Sequence, residues 1–362
     1  MHLSISFWAH PEKSNVRVLV FGTGAVGGLI GARLALAGHE VVFLARPRVV
    51  DALRRNGLTL IDDQQVAQVP NVIASSDFSE AVKTGRPDLI LLCVKAYDCA
   101  DAAALIKDTL PEPIPVLSML NGINNEQTLA QALGSGNVIA GTLTTAVEMP
   151  EPAVVRVSRK RGVGIAGTHP MTAEIVGRFK QAGFHTEHYP NPGRMKWSKL
   201  MTNIVANTTS AITGFNPGEV FAHPGLARME MDALRETVRV MRKMGFGPQN
   251  LPGVSVALLG RAVFLPAIVT RHLLGRIVAG GRGSKKPSLH HDIGRGKSEV
   301  DWLNGAVVRY GEQFGVPTPV NRALYETMKE LVEDQSLHQT FLGHPERLVS
   351  KAYPGNGGRD AG

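Results

Sequence analysis

Apolar residues follow two rhythms along this chain, unbroken short runs in its first half and three-and-four spacings in its second. The run Val-Arg-Val-Leu-Val at 16–20 is followed by the glycine-rich 21–28 and then by the apolar stretch 29–37. A short apolar run ended by glycine reads as a buried strand, and the longer stretch after it as a helix. The alternation recurs, with strands expected at 41–45, 88–95, 115–120 and from 138, and helices at 98–107 and near 125–133. Strands alternating with helices predict a parallel, doubly wound α/β sheet, whose ligands sit beyond the carboxyl ends of the strands. Lys95 and Asn121 stand at two such ends, although a polar residue there is also ordinary turn chemistry.

The rhythm changes after Pro190. Tyr-Pro-Asn-Pro-Gly at 189–193 has the punctuation of a linker. Helices are expected at 194–210, 226–244, 298–314 and 320–333, the second with Met231, Leu234, Val238 and Met241 at spacings of three and four. The stretch 251–282 is apolar but is broken by Arg261, Pro266, Arg271 and Arg276, so it cannot cross a membrane as one helix. It is expected to pack over the helical half or against a second copy, giving a homodimer. A membrane-surface segment is the alternative.

The glycines carry the first chemistry. Gly22, Gly24 and Gly27 have the spacing G-x-G-x-x-G between a strand and a helix, the context of a dinucleotide-binding turn. Gly22 permits the turn, Gly24 lets backbone approach a pyrophosphate, and Gly27 lets helix and strand pack. With Thr23, Ala25 and Val26 they present N–H groups at the positive end of a helix dipole. The strand at 41–45 ends in Arg46-Pro47-Arg48 where an NAD site has an acid. Arginine suits a 2′-phosphate, so NADPH is favoured over NADH.

The predicted architecture is therefore an N-terminal Rossmann-like domain at 16–190, followed by an all-helical domain at 191–345 with an apolar insertion at 251–282. Residues 1–15 and 354–362 read as loose termini.

Composition narrows the class of partner. A chain of 362 residues with 43% hydrophobic and 19% charged residues suits a soluble two-domain enzyme. Its net charge of +8 suits a polyanionic cofactor and an acidic substrate. Nucleic acid is disfavoured, because the basic residues are dispersed and aromatics make up 6%. The two cysteines, Cys93 and Cys99, have no metal spacing and suit a reducing, cytoplasmic compartment. Residues 1–15 lack the apolar core of a signal peptide.

In the helical half, Lys199, Asn203 and Asn207 recur every four residues and would form one stripe of a single helix. The stripe is either a polar seam between domains or a row of donors facing a cofactor. Ser298 is a candidate N-cap, and Glu299 stands in the first turn after it.

Taken in order, several motifs resemble the ketopantoate reductase (2-dehydropantoate 2-reductase) family. They are the glycine turn, Lys95-Ala96, Asn121-Gly122, Trp197-x-Lys199-Leu200-x-x-Asn203-x-x-x-Asn207, Pro287-Ser288-Leu289-x-x-Asp292 and Ser298-Glu299-x-Asp301-x-x-Asn304-Gly305. The resemblance covers 16–332 and implies NADPH-dependent reduction of 2-dehydropantoate to (R)-pantoate, for pantothenate and coenzyme A. It implies Lys199 as the catalytic acid, with Glu299 beside it and the cofactor. Asn203, Asn207 and Ser288 would bind substrate, and Lys95, Asn121 and the Ala146 backbone would contact cofactor, Asn121 also touching substrate. Arg46 matches the 2′-phosphate arginine.

The chain departs from the family at 283–287, where an asparagine is usual, in the one-residue-shorter interval from Asp292 to Glu299, and in the apolar insertion. A reductase of another 2-oxo acid therefore stays open, as does a non-catalytic NADP-binding sensor.

Overall fold

The apolar runs become the middle of a twisted sheet. The computed structural model describes residues 15–265 and 287–354, and the expectations for most of the insertion and of both termini lie outside these residues. Its strands are β1 (Arg17–Phe21), β2 (Glu40–Leu44), β3 (Leu58–Asp62), β4 (Gln65–Val69), β5 (Ile73–Ser75) and β6 (Leu89–Leu92). They continue with β7 (Val116–Ser118), β8 (Val138–Leu143), β9 (Ala146–Glu151), β10 (Val154–Arg159), β11 (Val163–Ala166) and β12 (Thr186–Tyr189). Eight form one sheet in the order β12-β11-β8-β7-β6-β1-β2-β5. The six strands from β8 to β5 are parallel, with Val18, Leu19, Val20, Ile90 and Leu91 almost wholly buried between helices on both faces.

Two features go beyond the parallel, doubly wound sheet expected from the sequence. β11 pairs antiparallel to β8 and carries β12 with it, so one edge runs the other way. A second, four-stranded sheet, β4-β3-β10-β9, packs over the helix Ala25–Leu36. Gly28 lets it approach closely, since a Cβ there would lie 2.7 Å from Val155.

Beyond Pro192 the named elements are helical. The helix Pro192–Ile204 starts as its sequence dictates, with Pro192 in the first turn and the Asn191 side chain accepting from Arg194 N at 2.8 Å. Its apolar face, including Met195, Trp197, Leu200 and Met201, is buried in one core with Leu226, Met229 and Leu234 of the helix Pro224–Lys243. That core also takes in Ile123, Ala140 and Ala166 from the rim of the large sheet, so the helix is seated on the strand ends.

The single helix expected over 194–210 is broken. It ends at Ile204, Ala206 turns with φ +48°, and a short helix, Thr208–Thr213, begins afresh. The helix expected over 298–314 is likewise divided, into a 3-10 turn at Glu299–Trp302 and a helix at Asn304–Gln313. Leu303 separates them, with φ −105° and ψ −103°.

Candidate active site

The carboxyl ends of β1, β6 and β7 lie side by side, and the site is built on that rim. After β1 the Gly22 and Thr23 amides donate to Leu44 O at 3.1 and 3.0 Å, tying the glycine turn to the end of β2. The helix Ala25–Leu36 begins behind Gly24 without a side-chain cap or an acid in its first turn. The three glycines meet different surroundings. A Cβ on Gly27 would lie 2.3 Å from Gly22 O and 2.8 Å from Val20, whereas one on Gly24 would meet nothing within 4 Å. The turn is thus packed solid beneath and open above, which fits a diphosphate resting on backbone amides. Arg46 is exposed two residues past β2, at the start of the helix Pro47–Asn56.

Lys95 follows β6, and its ammonium lies 2.5 Å from Glu299 Oε2. Burial alone would lower the Lys95 pKa, but the Glu299 carboxylate outweighs it and holds the ammonium above its usual range. Glu299 is 5% exposed, and its position is fixed from behind. Asp292 Oδ2 accepts from Ser298 Oγ at 3.0 Å and from Glu299 N at 3.2 Å, while Ser298 Oγ caps Val300 N at 3.1 Å. The ion pair therefore joins the rim of the large sheet to the helical half.

A second bridge stands beside it. Asn203 Nδ2, on the helix Pro192–Ile204, donates to Asn121 Oδ1 beyond β7 at 3.1 Å. Lys199 lies one turn earlier on the same helix and is half-buried. Asn207 does not continue the stripe. It stands at the N-cap of the short helix Thr208–Thr213, and its Nδ2 donates to Ser288 Oγ at 3.1 Å. Ala146 opens β9 three residues after β8 ends, and its carbonyl accepts from Ser158 Oγ at 3.3 Å. Hydrogen bonds and the ion pair thus couple Lys95 with Glu299, Asn121 with Asn203, and Asn207 with Ser288.

Sequence reasoning passed over several buried charged residues, Lys196 and Glu230 among them. Lys196, 5% exposed, donates to Leu120 O at 2.6 Å and Gly141 O at 3.3 Å, and its ammonium lies 2.9 Å from Glu126 Oε1. Three acceptors match its three N–H donors, so this lysine is a strut between helix and strand ends and has no proton to spare. It lines a cavity of about 610 Å³ with Glu126, His169, Trp197 and Tyr310. Glu230 is 2% exposed. Both were detectable as charges at core positions, Lys196 between Met195 and Trp197, and Glu230 between Leu226 and Leu234 at helical spacing.

Comparison with known proteins shows the family to which the chain belongs. Residues 18–168 match the family model for ketopantoate reductase PanE/ApbA, and residues 193–332 match the model for its C-terminal part. A 2-dehydropantoate 2-reductase of Pyrococcus horikoshii is 28% identical over 320 residues, covering 87% of this chain and 97% of that protein. The crystal structure of a PanE/ApbA family ketopantoate reductase from Ralstonia eutropha JMP134 is similar with TM-score 0.75 and 34% identity, over 89% of this chain and 99% of that one. A D-mandelate dehydrogenase solved with NADH and anilino(oxo)acetate shares the fold, with TM-score 0.69 at 18% identity. The chain belongs to the ketopantoate reductase family of oxidoreductases.

Proposed function

We propose that this protein reduces 2-dehydropantoate to (R)-pantoate with NADPH, in pantothenate and coenzyme A biosynthesis, and that Lys199 is the proton donor. The observation that carries the reading is the Asn203–Asn121 bridge, which seats the helix bearing Lys199 on the strand end where a Rossmann-like sheet receives its ligand. The open face of Gly24 fits the cofactor's diphosphate, and Arg46 fits a 2′-phosphate. When bound, NADPH supplies a hydride to the C2 carbonyl carbon. Negative charge then grows on the carbonyl oxygen, and the Lys199 ammonium stabilises it and donates the proton. Asn203, Asn207 and Ser288 hold the substrate's hydroxyl and carboxylate, and Asn121 contacts substrate and cofactor. Lys95 and Glu299 close the cofactor side as a pair, Glu299 acting beside the catalytic lysine.

The reading is tested by NADPH oxidation against a panel of 2-oxo acids. Ketopantoate is expected to show the highest kcat/KM. A second reading, reduction of a different 2-oxo acid, is favoured by the departure at 283–287 next to Ser288, and a better panel member would establish it. No turnover with any 2-oxo acid would remove both.

Cofactor choice is a separate expectation. NADPH should bind more tightly than NADH by about 1.5–3 kcal/mol, the range of a charge-assisted hydrogen bond. Arg46→Ala should shrink the gap, measured by fluorescence titration of both nucleotides. Equal affinities in the unmodified protein would refute the role of Arg46.

A further inference from the structure

Between the two asparagines of the site, the chain turns where its sequence shows no reason to. Residues 204–206 read Ile-Val-Ala, yet Ala206 adopts φ +48°, a left-handed conformation costly for residues other than glycine. Ala206 is wholly buried, and its N–H donates to Glu230 Oε2 at 2.7 Å. The other oxygen of the same carboxylate accepts from Thr209 Oγ1. Glu230 reaches this turn from the buried face of the helix Pro224–Lys243.

The geometry points to Glu230 as a positioning residue for the substrate, one that holds Ala206 in its turn and so aims Asn207. An uninterrupted helix would stack Asn203 and Asn207 about 40° apart on one face. With the turn in place, Asn203 instead reaches Asn121 on the sheet rim, while Asn207 reaches Ser288 and the Leu289 amide. The carboxylate thus sets the span between two substrate-binding amides without touching the substrate. The assignment of what is being positioned rests on the proposed 2-oxo acid reduction.

Glu230→Met removes both acceptors at similar volume. It should raise KM for the 2-oxo acid about 10-fold while kcat and the NADPH Kd change less than about 3-fold. Glu230→Gln keeps an acceptor for Ala206 N and should stay near the unmodified enzyme. Adding Ala206→Gly to Glu230→Met should restore most of the KM, because glycine holds a left-handed turn without help. A KM unchanged by Glu230→Met, or a loss that Ala206→Gly does not relieve, would overturn the proposal. If Glu230→Met fails to fold, Thr209→Val decides: KM raised about 3-fold at constant kcat supports it, and an unchanged KM overturns it. If the unmodified protein reduces no 2-oxo acid, the functional reading fails alone. Amide exchange over 205–209 then judges the turn, with acceleration of about 10-fold in Glu230→Met expected and no change contradicting it.

Discussion

Lys199→Ala should lower kcat by at least about 10²-fold, the scale of losing a general acid, while the NADPH Kd stays within about 3-fold. The expectation separates two lysines one helical turn apart. Lys196 already spends its N–H groups on Leu120 O, Gly141 O and Glu126, so it can hold the helix in place but cannot supply a proton without breaking that anchorage. Lys199 is half-buried, one turn before the asparagine that touches the sheet rim. Lys199→Arg should recover little activity, because a guanidinium does not deprotonate near neutral pH. Stopped-flow and steady-state assays of the folded variants measure both constants. Near-normal turnover in Lys199→Ala would sink the assignment, and Glu299→Ala without kinetic effect would remove Glu299 from the chemistry.

The second large effect lies in the glycine turn, where two alanine substitutions should fail for different reasons. Gly27→Ala places a Cβ 2.3 Å from Gly22 O, which is backbone and cannot swing aside. Overpacking of this kind costs about 1–3 kcal/mol. It should lower Tm and weaken NADPH binding together. Gly24→Ala adds a methyl that meets nothing in the protein, and Gly24 has φ −92°, which alanine accepts. Its Tm should therefore stay within about 2 °C, since no contact is strained. The methyl would stand where the diphosphate approaches, so the NADPH Kd should rise about 10-fold or more, a loss of about 1.4 kcal/mol. Thermal unfolding with nucleotide titration reads both. Unchanged NADPH affinity in Gly24→Ala would contradict the placement of the cofactor.

What could be read from the sequence is what local physics decides. β1, the glycine turn and the helix after it are legible because an apolar run, three glycines and a helical repeat agree with one another. The helix Asn125–Leu133 and the cap of Ser298 on Val300 follow from similar short-range signals. The small second sheet was not legible. β4 carries Gln65, Val66 and Gln68 on a largely exposed ribbon, and its pairing with β3 turns on Asp63 at φ +57°. That alternation is too weak to stand out from a loop. The break at Ala206 was hidden for a different reason. Val205 and Ala206 continue an apolar helical pattern, and the turn is held by a carboxylate 24 residues further along, on another helix. Periodicity detects neighbours at three and four and is blind to such a contact. The same holds for the ion pair of Lys95 with Glu299, which joins residues 204 apart in sequence.

Hydride transfer to a 2-oxo acid is the central claim, and isotope labelling tests it directly. The unmodified protein is incubated with NADPH carrying deuterium at both C4 positions and with ketopantoate, and the product is analysed by mass spectrometry and proton NMR. The account predicts pantoate one mass unit heavier, with deuterium at C2 and none exchanged with water. NADPH oxidised without a C2-deuterated 2-hydroxy acid from ketopantoate or any other 2-oxo acid would contradict it.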